Sequence, residues 1–370
     1  MNYKKRILII KPILVHPRYH LTRTLELAKY FDVNWYIYSD DNSVDLEQYS
    51  STHHQIISLN KEMPVKGKKV KNLLILFNFY KSVSFFLRKK KYDLIIVHNN
   101  KLCFILPLFS PKSKLVLSMG TSAVTKSKII NIIIDIQYKF NTFFFKRIIV
   151  GSPWMINKFN LFNKEVITTR WGTNPLSKEE KSFNDLRLLY IGTLTNRRIH
   201  ETIEGLALFL KVNNYNKPIT YDIIGRGSKD DEKLLLETTK KYNLESIVKI
   251  HGFLPNGDLE KYFSLCNIGV AYIPITEYYT DVVATKLDEY IVSGLVSIAT
   301  GTNENKKVIT QNNGVIIEDN PESFAEGLQK IALNLNTYSS NIIFEESKTK
   351  TLSYAVENEI VPKYLKLMED

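Results

Sequence analysis

Strand signals recur along the whole 370-residue chain and alternate with helix signals: RILIIKP, VNWYIYS, YDLIIVHN, KLVLSM, KRIIVGS and VITTRW, then LRLLYIG, ITYDIIG, IVKIHG, IGVAYIP, LVSIAT and GVIIED. Strands that alternate with helices indicate parallel sheets covered by helices. Helical apolar spacing lies between the runs, at Leu21–Phe31, His200–Val212, Asp230–Tyr242, DLEKYFSLC, the residues after Asp281 and PESFAEGLQKIA. The alternation predicts an α/β protein. The length suits two domains. Gly172–Asp185, polar with Gly and Pro, reads as a linker. The expectation is two doubly wound, Rossmann-like domains, residues 1–175 and 185–351, facing across a cleft at the carboxyl ends of their strands.

The segment Asp281–Leu295, DVVATKLDEYIVSGL, places two carboxylates, Asp281 and Glu289, around a predicted helix start. Val283, Leu287, Tyr290 and Ile291 recur at helical spacing toward a core, Lys286 and Glu289 share another face, and Gly294 ends the helix. A helix N-terminus offers unpaired N–H groups and partial positive charge. The amides near Ala284, Thr285 and Lys286 therefore suit a diphosphate, with Asp281 reaching beyond it and Glu289 accepting from ribose hydroxyls. The alternative is a surface helix carrying an ordinary Lys/Glu pair.

The net charge of +12 is unevenly distributed. Residues 1–184 hold 30 basic and 12 acidic side chains, and residues 185–370 hold 20 and 26. Only the first half thus suits an anionic partner. Its basic runs, Lys66–Lys71 and Arg88–Lys91, flank Phe77, Phe79, Tyr80, Phe85 and Phe86. That interleaving favours peripheral contact with an anionic membrane over a core helix with solvated lysines. Ile129–Val150 is greasy, but Asp135, Lys139, Lys146 and Arg147 interrupt it well short of a spanning length. MNYKKRILIIKP reads as a first buried strand, not a signal peptide. Cys103 and Cys266 match no metal spacing and indicate core packing in a reducing compartment.

The second half resembles the C-terminal domain of the GT-B glycosyltransferases, most closely glycosyltransferase family 4, through motifs in consecutive order. LLYIGTLTNRRIHETIEGLALF is similar to YIGRLxxxKGxxxLIEA, DIIGRGSKDDEKLLLET to IVGxGPxxxxLxxL, and VKIHGFLPNGDLEKYFSLCNIGVAYIP to VxFLGFVPxxELxxYYxxADVFVLPS. Asp281–Thr300 falls on the family's E-x7-E helix and the strand after it. NNGVIIEDNPESFAEGL matches the closing NGxLVxxxDPExLAEAI, and LSYAVENEIVPKYLKLME, within 352–370, the helix that crosses back to the first domain. The resemblance implies that Arg198 pairs with the donor diphosphate, Asp281 lies against the donor sugar and Glu289 against the ribose. The loop residues Gly192, Thr193, Gly225, Gly252 and Phe253 would line the nucleotide. Thr193 stands where many members carry arginine, and Lys286 or Arg197 is available to compensate.

In the first half, VHPRYHLTRTLELAKYF resembles the DPRVRRxAxxLA opening of some members. His16, Arg18, His20, His98 and Thr121 are acceptor-side candidates, each with a loop or capping role as its alternative. The resemblance implies a retaining transferase moving a sugar from a nucleotide sugar, uridine more than guanosine, to a glycan or lipid-linked hydroxyl in cell-surface polysaccharide synthesis. Arg198 and Lys286 would stabilise the leaving diphosphate and Asp281 the sugar cation. No D-x-D triplet is present, so no metal or other cofactor is expected. The expected location is the cytoplasmic face of the membrane. A non-catalytic scaffold and a sugar-nucleotide epimerase are the alternatives, and a nucleic-acid binder ranks below both because no reading motif accompanies the lysines.

Overall fold

The computed structural model describes residues 4–14, 17–40, 46–59, 69–110, 114–121, 127–213, 215–276, 279–281 and 285–369. The chain divides into two compact units, Met1–Trp171 with Leu352–Asp370, and Gly172–Thr351.

The first unit runs β1 (Arg6–Leu14), α1 (Pro17–Leu27), β2 (Asp32–Asp40), β3 (His54–Ser58), α2 (Lys69–Lys89), β4 (Leu94–His98), α3 (Leu106–Phe109), β5 (Leu115–Met119), α4 (Lys128–Thr142), β6 (Arg147–Val150), α5 (Trp154–Phe159) and β7 (Glu165–Thr168). The strands form one parallel sheet in the order β3-β2-β1-β4-β5-β6-β7. Strand β1 shows why its sequence lacks alternation. Leu8 and Ile10 pack into one core cluster while Ile7 and Ile9 pack into another, and all four are buried. Helix α1 begins four residues before Leu21, with Pro17 in its first turn, where the missing N–H costs nothing. In α2, Phe79 and Tyr80 are core residues, whereas Phe77 and Phe85 are exposed. The expected aromatic surface is therefore narrower than the sequence suggested.

The second unit runs β8 (Leu186–Ile191), α6 (His200–Asn213), β9 (Ile219–Ile224), α7 (Lys229–Lys241), β10 (Val248–Gly252), α8 (Glu260–Leu265), β11 (Ile268–Ala271), α9 (Thr285–Val292), β12 (Val296–Thr300), α10 (Asn303–Lys306), β13 (Gly314–Ile317), α11 (Pro321–Leu333) and α12 (Ser340–Ser347). Its sheet is parallel in the order β10-β9-β8-β11-β12-β13. Helix α7 starts at a capping box in which Ser228 and Asp231 satisfy each other's backbone N–H groups. Gly172–Asp185, expected to run as a linker, is instead laid into this unit. The Leu176 amide donates to Ser293 Oγ (3.0 Å), the Lys181 amide to Ser340 Oγ (2.8 Å), and Phe183 is buried in the core.

The chain then returns to the first unit as α13 (Leu352–Ala355) and α14 (Val361–Glu369). Leu352, Val356, Ile360, Tyr364 and Leu367 join the cluster that holds Ile7 and Ile9, and Arg147 Nη1 donates to the Leu367 carbonyl (2.8 Å). No helix among the described residues is long and apolar enough to cross a membrane.

Candidate functional site

In each sheet the strand order reverses next to the first strand of the unit, between β8 and β11 and between β1 and β4. Crevices at such switch points, beyond the carboxyl ends of the strands, are where open α/β sheets bind ligands.

At the ends of β8, β9 and β10 three glycine turns stack. The Gly192 amide donates to the Ile224 carbonyl (3.0 Å) and the Gly225 amide to the Gly252 carbonyl (2.8 Å). A Cβ on Gly225 would lie 1.8 Å from the Gly192 carbonyl oxygen, so only glycine permits this approach. Gly252 sits at φ +69°, and the exposed Phe253 ring beyond it lies under the Arg226 guanidinium, 5.2 Å from the centroid. Gly192, Gly225, Gly252 and Phe253, all expected at the nucleotide, are thus brought together. Thr193 is exposed, and its carbonyl accepts from the Tyr190 hydroxyl (2.7 Å).

Helix α9 is fixed to this shelf from below. Leu287, Tyr290 and Ile291 enter the core, and the Tyr290 hydroxyl accepts from the Ile191 amide at the end of β8 (2.9 Å). Thr285 opens the helix and Gly294, at φ +75°, follows its end. Ala284 and Val283 lie outside the described residues. Lys286 Nζ and Glu289 Oε2 pair at 2.6 Å, so these two nominated groups answer each other. Asp281 accepts from Asn303 Nδ2 (2.8 Å) at the start of α10.

Arg198 is spoken for inside the protein. Held at φ +56°, it binds Glu201 (2.6 Å), the Asp319 carboxylate (2.9 Å) and the Asp319 carbonyl (2.9 Å). The Tyr272 hydroxyl donates to the other Glu201 oxygen, and the Ile275 amide donates to Asp319 (3.0 Å). Burial, then the bond to Glu201, raises the Tyr272 pKa. Arg198 therefore ties α6 to the loops after β11 and β13. Its neighbour differs. Arg197 stacks on the Tyr279 ring, 4.3 Å from the centroid, and its buried Nη1 has no hydrogen-bond partner among the described residues.

In the first unit a cavity of about 360 Å³ opens at the ends of β1, β4 and β5, lined by Lys11, His98, Asn99, Asn100, Lys101 and Thr121, with Leu76 of α2 and Tyr138 of α4. Two acceptor-side candidates, His98 and Thr121, are brought together here. His16 lies outside the described residues and Arg18 is placed only as backbone of α1. Lys11 Nζ is 2.7 Å from His20 Nε2, and the His20 ring meets His98 edge-on at 5.7 Å. Trp35 stacks on His98 at 6.0 Å and donates to Thr24 Oγ1 (3.0 Å). Burial lowers the Lys11 pKa to about 8, and burial with the nearby Lys11 charge lowers that of His98 to about 3. Sequence reasoning passed over Lys11, Asn99 and Asn100. The available signal was the one charge inside the apolar run RILIIKPIL.

Residues 175–342 match the family model described as glycosyl transferases group 1. They form a glycosyltransferase domain. No curated protein matches the chain by sequence. Among solved structures, a glycosyltransferase from Rickettsia africae superposes with a TM-score of 0.74 at 13% identity, covering 100% of both chains. Sucrose-phosphate synthase from Thermosynechococcus elongatus gives 0.69 at 16% identity, covering 99% of this chain and 100% of its own. HepE from Anabaena, in complex with UDP and glucose, gives 0.68 at 14%, covering 98% and 100%. At these identities the likeness establishes the fold, which is that of the GT-B glycosyltransferases.

The glycosyltransferase domain contains the glycine shelf, α9 and the Arg197–Arg198 loop. An exposed ring such as Phe253 is able to stack on a base, and a guanidinium such as that of Arg197 to pair with a phosphate. Among the described residues of the whole chain, no group of three or more His, Cys, Asp or Glu side chains is able to hold a metal ion. Both cysteines are buried and free, and burial pushes the Cys103 thiol up to about 12, which keeps it protonated and inert.

Proposed function

We propose that the chain transfers a sugar from a nucleoside diphosphate sugar, uridine rather than guanosine, to a hydroxyl of a glycan or lipid-linked acceptor in cell-surface polysaccharide assembly. The reaction retains anomeric configuration, needs no metal, and takes place at the cytoplasmic face of a membrane that the basic first unit contacts through α2. The observation that carries this reading is the stacking of Gly192, Gly225 and Gly252 beside α9 inside the segment matching glycosyl transferases group 1. HepE in complex with UDP and glucose, and a UDP-forming trehalose-phosphate synthase from Burkholderia vietnamiensis, have the same fold and support the uridine donor.

Departure of the nucleoside diphosphate builds negative charge on its terminal phosphate, and cations aimed there lower the barrier more than they strengthen ground-state binding. An acceptor hydroxyl on the same face passes its proton to the leaving phosphate oxygen, so no protein base is assigned. The cavity lined by Lys11, His98 and Thr121 receives the acceptor. Thermal unfolding with UDP and GDP tests the reading. UDP at about 100 times its dissociation constant stabilises the fold by about 2.7 kcal/mol, and Phe253→Ala weakens that shift. Unchanged melting with both nucleotides overturns the reading. A scaffold without turnover is the second reading, favoured by the internal pairing of Arg198 and Lys286. A nucleotide-induced shift without donor hydrolysis supports it.

A further inference from the structure

Helix α4 has its polarity inverted. Ile129, Ile132, Ile133, Ile136, Phe140 and the following Phe143 recur at helical spacing on one face, and every one is between 46% and 71% exposed. The inward face carries the polar groups: Asn141 and Thr142 are buried, and Asp135 pairs with Lys158 of α5 at 2.9 Å. A helix of a globular unit normally buries its apolar stripe. An exposed stripe of this length marks an interaction surface.

The surface continues across neighbouring elements. Phe104, just before α3, meets Phe140 edge-on at 5.3 Å; Leu108 and Phe109 of α3 are exposed; and α2 presents Leu74, Phe77, Lys81, Phe85 and Arg88 along one stripe. Between α2 and α3 lies a second cavity, of about 320 Å³, whose lining sets Phe77, Phe85 and Phe109 beside Lys81 and Arg88. Rings beside cations suit an amphiphile with an apolar chain and an anionic head.

Charge identifies the partner. Residues 69–150 contain 15 Lys and Arg but only two acidic residues, Asp93 and Asp135. A symmetric contact between two copies would set this excess against itself. Nucleic acid would leave the isoleucine stripe unused, since bases stack on aromatic rings and guanidinium planes. A bilayer with anionic headgroups satisfies both the charge and the stripe.

We propose that α4, together with α2 and α3, forms an in-plane wedge whose apolar faces enter the interfacial layer of an anionic bilayer, and that this wedge presents the acceptor cavity to a membrane-borne acceptor. The inner faces of the same helices build that cavity. Tyr138 of α4 and Leu76 of α2 line it, and Asn141 Nδ2 donates to Asn99 Oδ1 (2.7 Å) and to the Asn100 carbonyl (2.9 Å) in its wall. The acceptor half of this inference rests on the proposed transferase function; the wedge does not.

Sedimentation of the full chain with vesicles tests it, using phosphatidylcholine alone or with three parts in ten phosphatidylglycerol. Wild type binds the mixed vesicles at least about tenfold more tightly than the neutral ones, and salt weakens that binding. Ile132→Ser/Ile136→Ser lowers partitioning at least about tenfold, and Lys81→Ala/Arg88→Ala removes the salt-sensitive part. Both variants keep the melting temperature and the UDP-induced shift. Equal binding of wild type and the isoleucine variant, or a wild-type dimer that the variant dissolves while neither binds vesicles, overturns the wedge. Loss of the UDP shift in every protein with vesicle binding intact overturns the donor reading instead and leaves the wedge standing.

Discussion

Arg197 and Arg198 are adjacent in sequence and have opposite surroundings, so their removal separates two effects. Arg198→Ala breaks pairs with Glu201 and Asp319 that are partly exposed, and the expected loss is about 1 kcal/mol in thermal unfolding. Arg197→Ala removes a guanidinium with an unused donor, so melting without ligand stays the same while the UDP-induced shift falls; an unchanged shift excludes Arg197 from the donor site. A second residue-scale prediction concerns pH. Both His98 and Lys11 have folded pKa values below their ordinary ones, so the unfolded chain binds more protons, and stability rises with pH in each window. For His98 the window is pH 3 to 6.5, with a slope of at most about 1.4 kcal/mol per pH unit. For Lys11 it is pH 8 to 10.5. Melting curves of His98→Gln should flatten in the first window and those of Lys11→Met in the second.

At the scale of elements, a buried side-chain hydrogen bond joins α9 to the end of β8. Tyr290→Phe keeps the ring in its place beside Gly269 but leaves the Ile191 amide without its acceptor. The expected cost is about 1–3 kcal/mol by urea unfolding. A smaller effect would show that the amide finds another partner. The strands were legible in the sequence because a parallel strand buried on both faces is a short apolar run, as in LRLLYI and VSIAT. The wedge helix was not. Periodicity in IINIIIDIQYKF defines a stripe but not the side on which water lies, and only the packing of Asn141 and Thr142 inward shows that the stripe faces out. The pairing of Arg198 with Asp319 was equally hidden, because the two stand 121 residues apart in the chain; its pair with Glu201, three residues on, was not.

At the scale of the molecule, the last 19 residues belong to the first unit although the second unit precedes them. Ending the chain at Thr351 removes five side chains of the buried cluster around Ile7 and Ile9, namely Leu352, Val356, Ile360, Tyr364 and Leu367. At about 1.5–3 kcal/mol each, the loss matches the whole stability of an ordinary domain. Calorimetry of the truncated chain should therefore show the second unit melting alone; a first transition that survives would mean the returning helices are dispensable.

By itself, the sequence determined the α/β class, the order of motifs in the second half and the glycines that must stack, because burial on both faces and close backbone approach leave local marks in residue type. The tertiary structure alone decided which cation beside α6 pairs with acidic groups of its own unit, that Lys11 lines a cavity beside His98, and that the apolar face of α4 is turned outward. Those are relations between residues far apart in the chain, and the identity of a side chain does not state what it will meet.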